Sequence, residues 1–257
     1  MKPLNLVEQY LMELRLTGIR DGLATRLKEA RQEQLGYEDF LNLCLYDEDR
    51  YRKDSRIRRL LLNAGLRIPA SLEGIDLVTP RGLDKKLLHE LENCRFIDDG
   101  LNVLIMGPTG VGKSYLAAAL GNAACRKGKT TFFYRMNALT EKLLLARAQG
   151  TYLNLIKKIA SADLIILDDF GIKPLTPQQF QDLYDILDER TDNKACVITS
   201  QLPPQNWSEV IADPVVCEAI TDRIVPRAIK IVMKGDSYRK KKGRITPAGK
   251  VAENLAS

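Results

Sequence analysis

Apolar residues recur at helical spacing in the first quarter of the chain and as short continuous runs in the rest. Leu4, Val7, Leu11 and Leu14 share one face, and Leu23, Leu27 and Ala30 another, so residues 4–34 predict two amphipathic helices with Thr17-Gly18 between them. Tyr37 to Tyr46 and Arg50 to Asn63 predict two more helices, the last stopped at Ala64-Gly65. From Leu66 to Pro80 the periodicity weakens and Pro69, Gly74 and Pro80 mark a connector. Alternation begins with a helix from Asp84. It continues with strands at Leu101–Met106, Thr130–Arg135, Asp163–Asp169, Ala195–Thr199 and Ile229–Met233. Helical stretches at 137–148 and 152–161 lie between the second and third strands. Thr176-Pro177-Gln178-Gln179 opens another helix, running to about Arg190, with a threonine cap, proline at the first position and a glutamine to close the capping box. The pattern predicts an α/β domain, a parallel sheet flanked by helices, behind a small all-α N-terminal domain. The expected boundaries are 1–66 for the helical domain, 67–83 for the connector, 84–239 for the α/β domain and 240–257 for a basic tail. About two dozen residues follow the last strand, too few for a full C-terminal helical lid domain.

The run Gly107-Pro108-Thr109-Gly110-Val111-Gly112-Lys113-Ser114 fills every position of the phosphate-loop pattern G-x-x-x-x-G-K-[ST]. A glycine-rich turn can match by chance, but here an apolar strand precedes the run and helix-forming Tyr115 to Leu120 follow it. The glycines let backbone N–H groups turn inward around a polyphosphate, and the helix dipole points its positive end at that charge. Gly107 through Tyr115 is therefore the expected ATP-binding stretch. Lys113 is expected to reach the β and γ phosphates, and the Ser114 hydroxyl to ligate Mg²⁺.

Asp163-Leu164-Ile165-Ile166-Leu167-Asp168-Asp169-Phe170 reads as a buried strand ending in two carboxylates. Such a pair can simply end a strand in a turn. Placed some fifty residues after a phosphate loop, it also suits hydrolysis: Asp168 to hold Mg²⁺ through water, and Asp169 to orient or deprotonate the attacking water. The shorter second acid, Asp in place of Glu, predicts modest turnover.

Composition changes this picture only at the edges. The chain has 257 residues, five scattered cysteines with no C-x-x-C pair, and one histidine, His89. That inventory excludes a Ser-His-Asp triad and a His-based metal site, and it favours reduced thiols in a cytoplasmic protein. The N-terminus has no signal-peptide pattern and no run reaches membrane-spanning length. The net charge of +6 is uneven: residues 223–257 hold 10 Lys/Arg against 2 Asp/Glu, whereas residues 71–222 hold 16 against 20. A second basic cluster comprises Arg50, Arg52, Lys53, Arg56, Arg58 and Arg59. Such patches either are solvated faces or meet nucleic-acid phosphates.

Phosphate loop, extra helix pair, Asp-Asp, polar strand end and then arginines form an order that resembles the initiator and helicase-loader branch of AAA+ ATPases. The resemblance implies a five-stranded parallel sheet of order 5-1-4-3-2. It places Ser200-Gln201 as the first sensor, with Gln201 departing from the usual Asn. It makes Arg223, in Ala219-Ile220-Thr221-Asp222-Arg223-Ile224, the arginine finger that acts on a neighbouring subunit, and Arg239, in Gly235-Asp236-Ser237-Tyr238-Arg239, a second sensor. A surface salt bridge is the plain alternative for either arginine. The segments that build the inner surface of such assemblies carry Arg135, Lys142, Arg147, Lys157, Lys158 and Lys173, which makes these the candidate DNA-phosphate contacts.

Within that branch the chain is similar to the IstB-type helper ATPases of insertion-sequence transposition. The similarity lies in Leu11-Met12-Glu13-Leu14-Arg15-Leu16-Thr17-Gly18, Tyr37-Glu38-Asp39-Phe40-Leu41, Phe96-Ile97-Asp98-Asp99-Gly100 and Ile198-Thr199-Ser200-Gln201-Leu202-Pro203 with Trp207. It implies a homo-oligomeric ATPase that assembles on duplex DNA, largely without sequence preference, helps select the insertion site and activates a partner transposase. A DnaC-like replicative helicase loader shares the same core and is the alternative. A small-molecule kinase would share only the phosphate loop and leaves Asp168-Asp169, Arg223 and the basic tail without a purpose.

Overall fold

A computed structural model describes residues 3–66, 68–77, 79, 81–190, 194–211 and 213–237. The chain divides into two compact units, Met1–Leu62 and Asn63–Ser257.

The described part of the first unit is helical: α1 (Pro3–Glu13), α2 (Thr17–Glu33) and α3, which runs Tyr37–Asn63 into the second unit. Two sequence expectations change here. Thr17-Gly18 is not a break, because both residues lie inside α2 and the turn falls at Leu14–Leu16. Tyr37–Tyr46 and Arg50–Asn63 are one helix, not two. Nothing in the intervening Asp47-Glu48-Asp49 breaks a helix, and Glu48–Arg52 and Asp49–Lys53 ion pairs at i,i+4 spacing bridge the stretch. Gly18 lets α2 approach α3 closely, since a Cβ there would lie 2.6 Å from Asp47 O and 2.7 Å from Glu48 Cα. The start of α2 has no cap of its own. The buried Glu48 carboxylate supplies one, accepting from the N–H groups of Gly18 at 2.7 Å and Ile19 at 3.2 Å.

The second unit is built on a five-stranded parallel sheet in the order β2-β3-β4-β1-β5. The strands are β1 (Asn102–Met106), β2 (Thr131–Arg135), β3 (Leu164–Phe170), β4 (Ala195–Ser200) and β5 (Ala228–Val232). Read from the other edge this is the expected 5-1-4-3-2. Alternate residues of each central strand feed two cores. Val103, Ile105, Leu164, Ile166 and Val197 pack with α4 (Lys85–Glu92), α5 (Arg95–Asp98) and α6 (Lys113–Arg126). Leu104, Met106, Ile165, Leu167 and Ile198 pack with α7 (Met136–Ala148), α8 (Tyr152–Ala160), α9 (Pro177–Asp188) and α10 (Pro214–Ile224). Burial on both faces is why these strands read as continuous apolar runs. The expected capping box of α9 is present: Gln179 N–H donates to Thr176 Oγ1 and Thr176 N–H to Gln179 Oε1.

Candidate functional site

The phosphate loop leaves the carboxyl end of β1, a central strand, and enters α6. Gly107, Gly110 and Gly112 have φ of +146°, +86° and +106°, conformations that side-chain-bearing residues rarely adopt. The first turn of α6 has no side-chain cap, so its N–H groups face the loop's concavity. A Cβ at Gly107 would lie 2.2 Å from Met233 O, and one at Gly110 2.2 Å from Ser237 Oγ, so the segment after β5 lies against the loop. Beside it opens a cavity of about 410 Å³ lined by Ile75, Asp76, Leu83, Tyr115 and Met233, of a size and polarity suited to a nucleoside.

Lys113 is buried and donates to the carbonyls of Gly107 at 2.7 Å and Pro108 at 2.9 Å. Burial lowers its pKa below the ordinary lysine value, against the opposing pull of the Asp169 and Asp168 carboxylates. A polyphosphate offers the ammonium a better set of acceptors than two neutral carbonyls.

The acids sit on a β-bulge. Pairing between β3 and β4 runs Leu167↔Ile198 and resumes at Phe170↔Ser200, so Asp168 and Asp169 together oppose the single residue Thr199. Asp169 takes a left-handed φ of +64°. Asp168 is fully buried, with Oδ1 bonded to Thr199 and no hydrogen bond to Oδ2, although Arg135 Nε stands 3.9 Å away. A buried carboxylate oxygen left this way beside a phosphate loop fits a cation or its water shell. No group of three or more His, Cys, Asp or Glu that could hold a metal occurs among the described residues. Ser114 and Asp168 would therefore share a cation with phosphate and water, as magnesium prefers.

Ser200 lies next to the phosphate loop, its carbonyl accepting from Gly107 N–H at 3.3 Å. Its hydroxyl donates to Phe170 O and accepts from Leu202 N–H, both at 3.0 Å, while Gln201 is exposed beyond it. Arg223 stands at the other end of the sheet. Its carbonyl accepts from the side chain of Asn102, the first residue of β1, whereas the phosphate loop follows the last. Five strand residues separate them by on the order of 16 Å. The Arg223 guanidinium bonds Tyr184 Oη at 2.9 Å and pairs with Asp188, over the Tyr184 ring. Arg239 and the tail beyond it lie outside the described residues.

The six candidate DNA contacts do not form one patch. Arg135 ends β2 and Lys173 follows the carboxyl end of β3, while Lys157 and Lys158 lie in the last turn of α8 near the amino end of β3. Lys142 and Lys158 lie over the rings of Tyr134 and Phe132, and Arg147 pairs with Asp182 and stacks on Tyr152. Sequence reasoning missed Thr199 and the buried Arg81, which donates to Val111 O within the loop at 2.9 Å. Arg81 belongs to no contiguous motif, and Thr199, though inside the Ile198–Pro203 run, shows its role only through partners some thirty positions away.

Phosphate loop, acidic bulge and strand order together define a P-loop nucleotide-binding protein of the AAA+ class. Solved structures agree on the fold. DnaI matches with a TM-score of 0.55 and 23% identity over 69% of this chain and 94% of its own. DnaA bound to AMPPCP and single-stranded DNA matches with a TM-score of 0.54 and 19% identity, over 67% of this chain and about half (52%) of that one. The chain belongs to the IstB-like ATP binding protein family, which it matches over residues 9–246. The insertion sequence ATP-binding protein y4pL of Sinorhizobium fredii is 38% identical over 89% of this chain and 94% of its own length. Rv3427c of Mycobacterium tuberculosis, an ATP-binding protein in an insertion sequence, is 32% identical over 92% and 95%. No helix among the described residues is long and apolar enough to cross a membrane.

Proposed function

We propose that this protein is a Mg²⁺-dependent, cytoplasmic ATPase that assembles with its own copies on duplex DNA and serves a partner transposase in choosing and activating insertion targets. The observation that carries this reading is that Arg223 lies at the opposite end of the sheet from the phosphate loop and the acid pair.

Backbone N–H groups of the loop and the Lys113 ammonium bind the polyphosphate of ATP, and the base side of the nucleotide enters the cavity at Tyr115 and Met233. Ser114 and Asp168 would hold Mg²⁺, which would supply neutralisation of the phosphate charge. Asp169 orients a water in line with the γ phosphorus and accepts its proton, giving ADP and phosphate. Ser200-Gln201 occupies the first-sensor position beside the loop, and Arg239 serves as a second sensor. Arg223, on the order of 16 Å away along β1, cannot complete its own site, which favours action on the nucleotide of an adjacent copy. To do so it must leave Tyr184 and Asp188. Arg135 and Lys173 at the carboxyl edge, with the other four basic candidates and the Arg50–Arg59 cluster, supply sequence-independent attraction to DNA phosphates. Transposition is favoured over helicase loading because relatives similar over nearly their whole length are insertion-sequence proteins.

The test mixes Arg223→Ala with Asp169→Asn subunits in the presence of duplex DNA. Each single variant should bind ATP and lose turnover, for Arg223→Ala by roughly a thousandfold. The mixture should recover hydrolysis at interfaces where an intact Arg223 meets an intact Asp169. A mixture as inactive as its components, with Arg223→Ala alone assembling normally, would refute the trans assignment.

A further inference from the structure

Asp168 and Asp169 are adjacent in sequence, and successive strand residues point to opposite faces of a sheet. A regular strand could not present both to one phosphate loop. Bringing both to one loop requires that the alternation be broken at the pair. The bulge does this, and the one residue opposite it is Thr199.

Thr199 is fully buried, and its hydroxyl has two partners. It donates to Asp168 Oδ1 at 2.6 Å and accepts from the Asp169 N–H at 2.9 Å. The first bond occupies one oxygen of Asp168 and fixes the carboxylate plane, so that Oδ2 is the oxygen left without a hydrogen bond. The second satisfies the N–H that the bulge removes from the regular ladder and holds Asp169 at its left-handed φ of +64°. One hydroxyl thus orients the metal-facing acid through its side chain and the water-facing acid through its backbone.

We propose that Thr199 is a positioning residue that sets the geometry of both acids and thereby the affinity of the nucleotide site for Mg²⁺. The proposal rests on the nucleotide-hydrolysis reading above and adds to it a residue outside the phosphate loop, the acid pair and the sensors. Valine has nearly the shape of threonine without the hydroxyl. Thr199→Val therefore takes the partner from a buried carboxylate oxygen and from a part-buried N–H, while Thr199→Ser keeps the hydroxyl and gives up only a methyl.

The experiment measures binding of a fluorescent, non-hydrolysable ATP analogue to the full-length protein across a Mg²⁺ titration, and hydrolysis of ATP separately. Thr199→Val is expected to bind the analogue in EDTA as the wild type does. Its Mg²⁺ half-saturation should rise, and its kcat fall, by roughly 10–100-fold, the usual effect of losing a partner of a metal ligand. Thr199→Ser should match the wild type in both. Wild-type Mg²⁺ dependence in a folded Thr199→Val protein overturns the proposal. So does weakened Mg²⁺ dependence in Thr199→Ser, which identifies the methyl rather than the hydroxyl as the important group and decides the matter even if the valine variant does not fold. A wild-type protein whose analogue binding ignores Mg²⁺ would instead overturn the Mg²⁺-ATPase reading on which the proposal rests.

Discussion

Replacing Lys113 by methionine separates the stability of the empty loop from its affinity for ATP. Without nucleotide, the buried ammonium has a pKa below its unfolded value. The folded protein therefore resists the charged form at neutral pH, and this cost disappears only as pH rises past the ordinary lysine value of 10.5. Methionine removes that cost and forfeits the bonds to Gly107 O and Pro108 O, worth about 1 kcal/mol each. These effects oppose one another, so the melting temperature without ATP should stay within about 3 °C of wild type. With ATP the outcome differs. At a hundred times Kd, ATP stabilises the wild type by about 2.7 kcal/mol. For a unit the size of Asn63–Ser257 that raises Tm by roughly 5–11 °C. Losing two charge-assisted contacts to phosphate costs about 3 kcal/mol, or more than a hundredfold in Kd. At the same ATP concentration the variant should then gain only about 1 °C. Differential scanning fluorimetry with and without ATP reads both numbers. A Lys113→Met protein that keeps the full ATP-dependent rise would show that the ammonium does not contact the phosphates. One that unfolds without ATP would refute the proposed balance in the empty loop.

Asp169→Asn should retain ATP affinity within about threefold, since Lys113, Ser114 and Asp168 remain, yet lose at least a hundredfold in single-turnover hydrolysis; wild-type turnover would remove Asp169 from its role. Gly18→Ala should destabilise the N-terminal unit by about 2 kcal/mol, because overpacking against Asp47, Glu48 and Tyr51 outweighs the gain in helix propensity of about 1 kcal/mol. Unchanged amide exchange across residues 17–33 of the full chain would contradict that close approach. The Asp47 pKa is lowered, first by its hydrogen bonds from Arg26. Its contribution is thus present above the ordinary value of 3.8 and is lost as pH falls through the depressed one. Asp47→Asn should accordingly show faster exchange in residues 17–33 than wild type at pH 7, with the gap closing as pH drops below about 3.8; a gap that persists would exclude the ion pair as its source.

Much of the site was legible because its chemistry is contiguous. The phosphate loop encodes its own glycine conformations, its lysine and its helix start within eight residues, and the α9 capping box is equally local. The alternation of strands and helices identified a parallel sheet; the order of its strands came from resemblance to a family, not from periodicity. What lay beyond sequence reading depends on partners some thirty or more positions apart, brought together only when the sheet closes. Glu48 caps a helix that begins at Thr17, so Gly18 read as a break when it is a contact. Asp168-Asp169 read as one acid for Mg²⁺ and one for water at a strand end, but nothing local revealed the bulge, or that the β3–β4 register sets Thr199 opposite the pair with its hydroxyl bonded to both. Arg223 read as a finger, and the fold put it against Tyr184 and Asp188, at the far end of the strand from its own phosphate loop. Local pattern determines which backbone a segment prefers and which side chains carry charge. Which of those charges share a cleft is decided by long-range pairing, because that is where desolvation and hydrogen-bond satisfaction are settled.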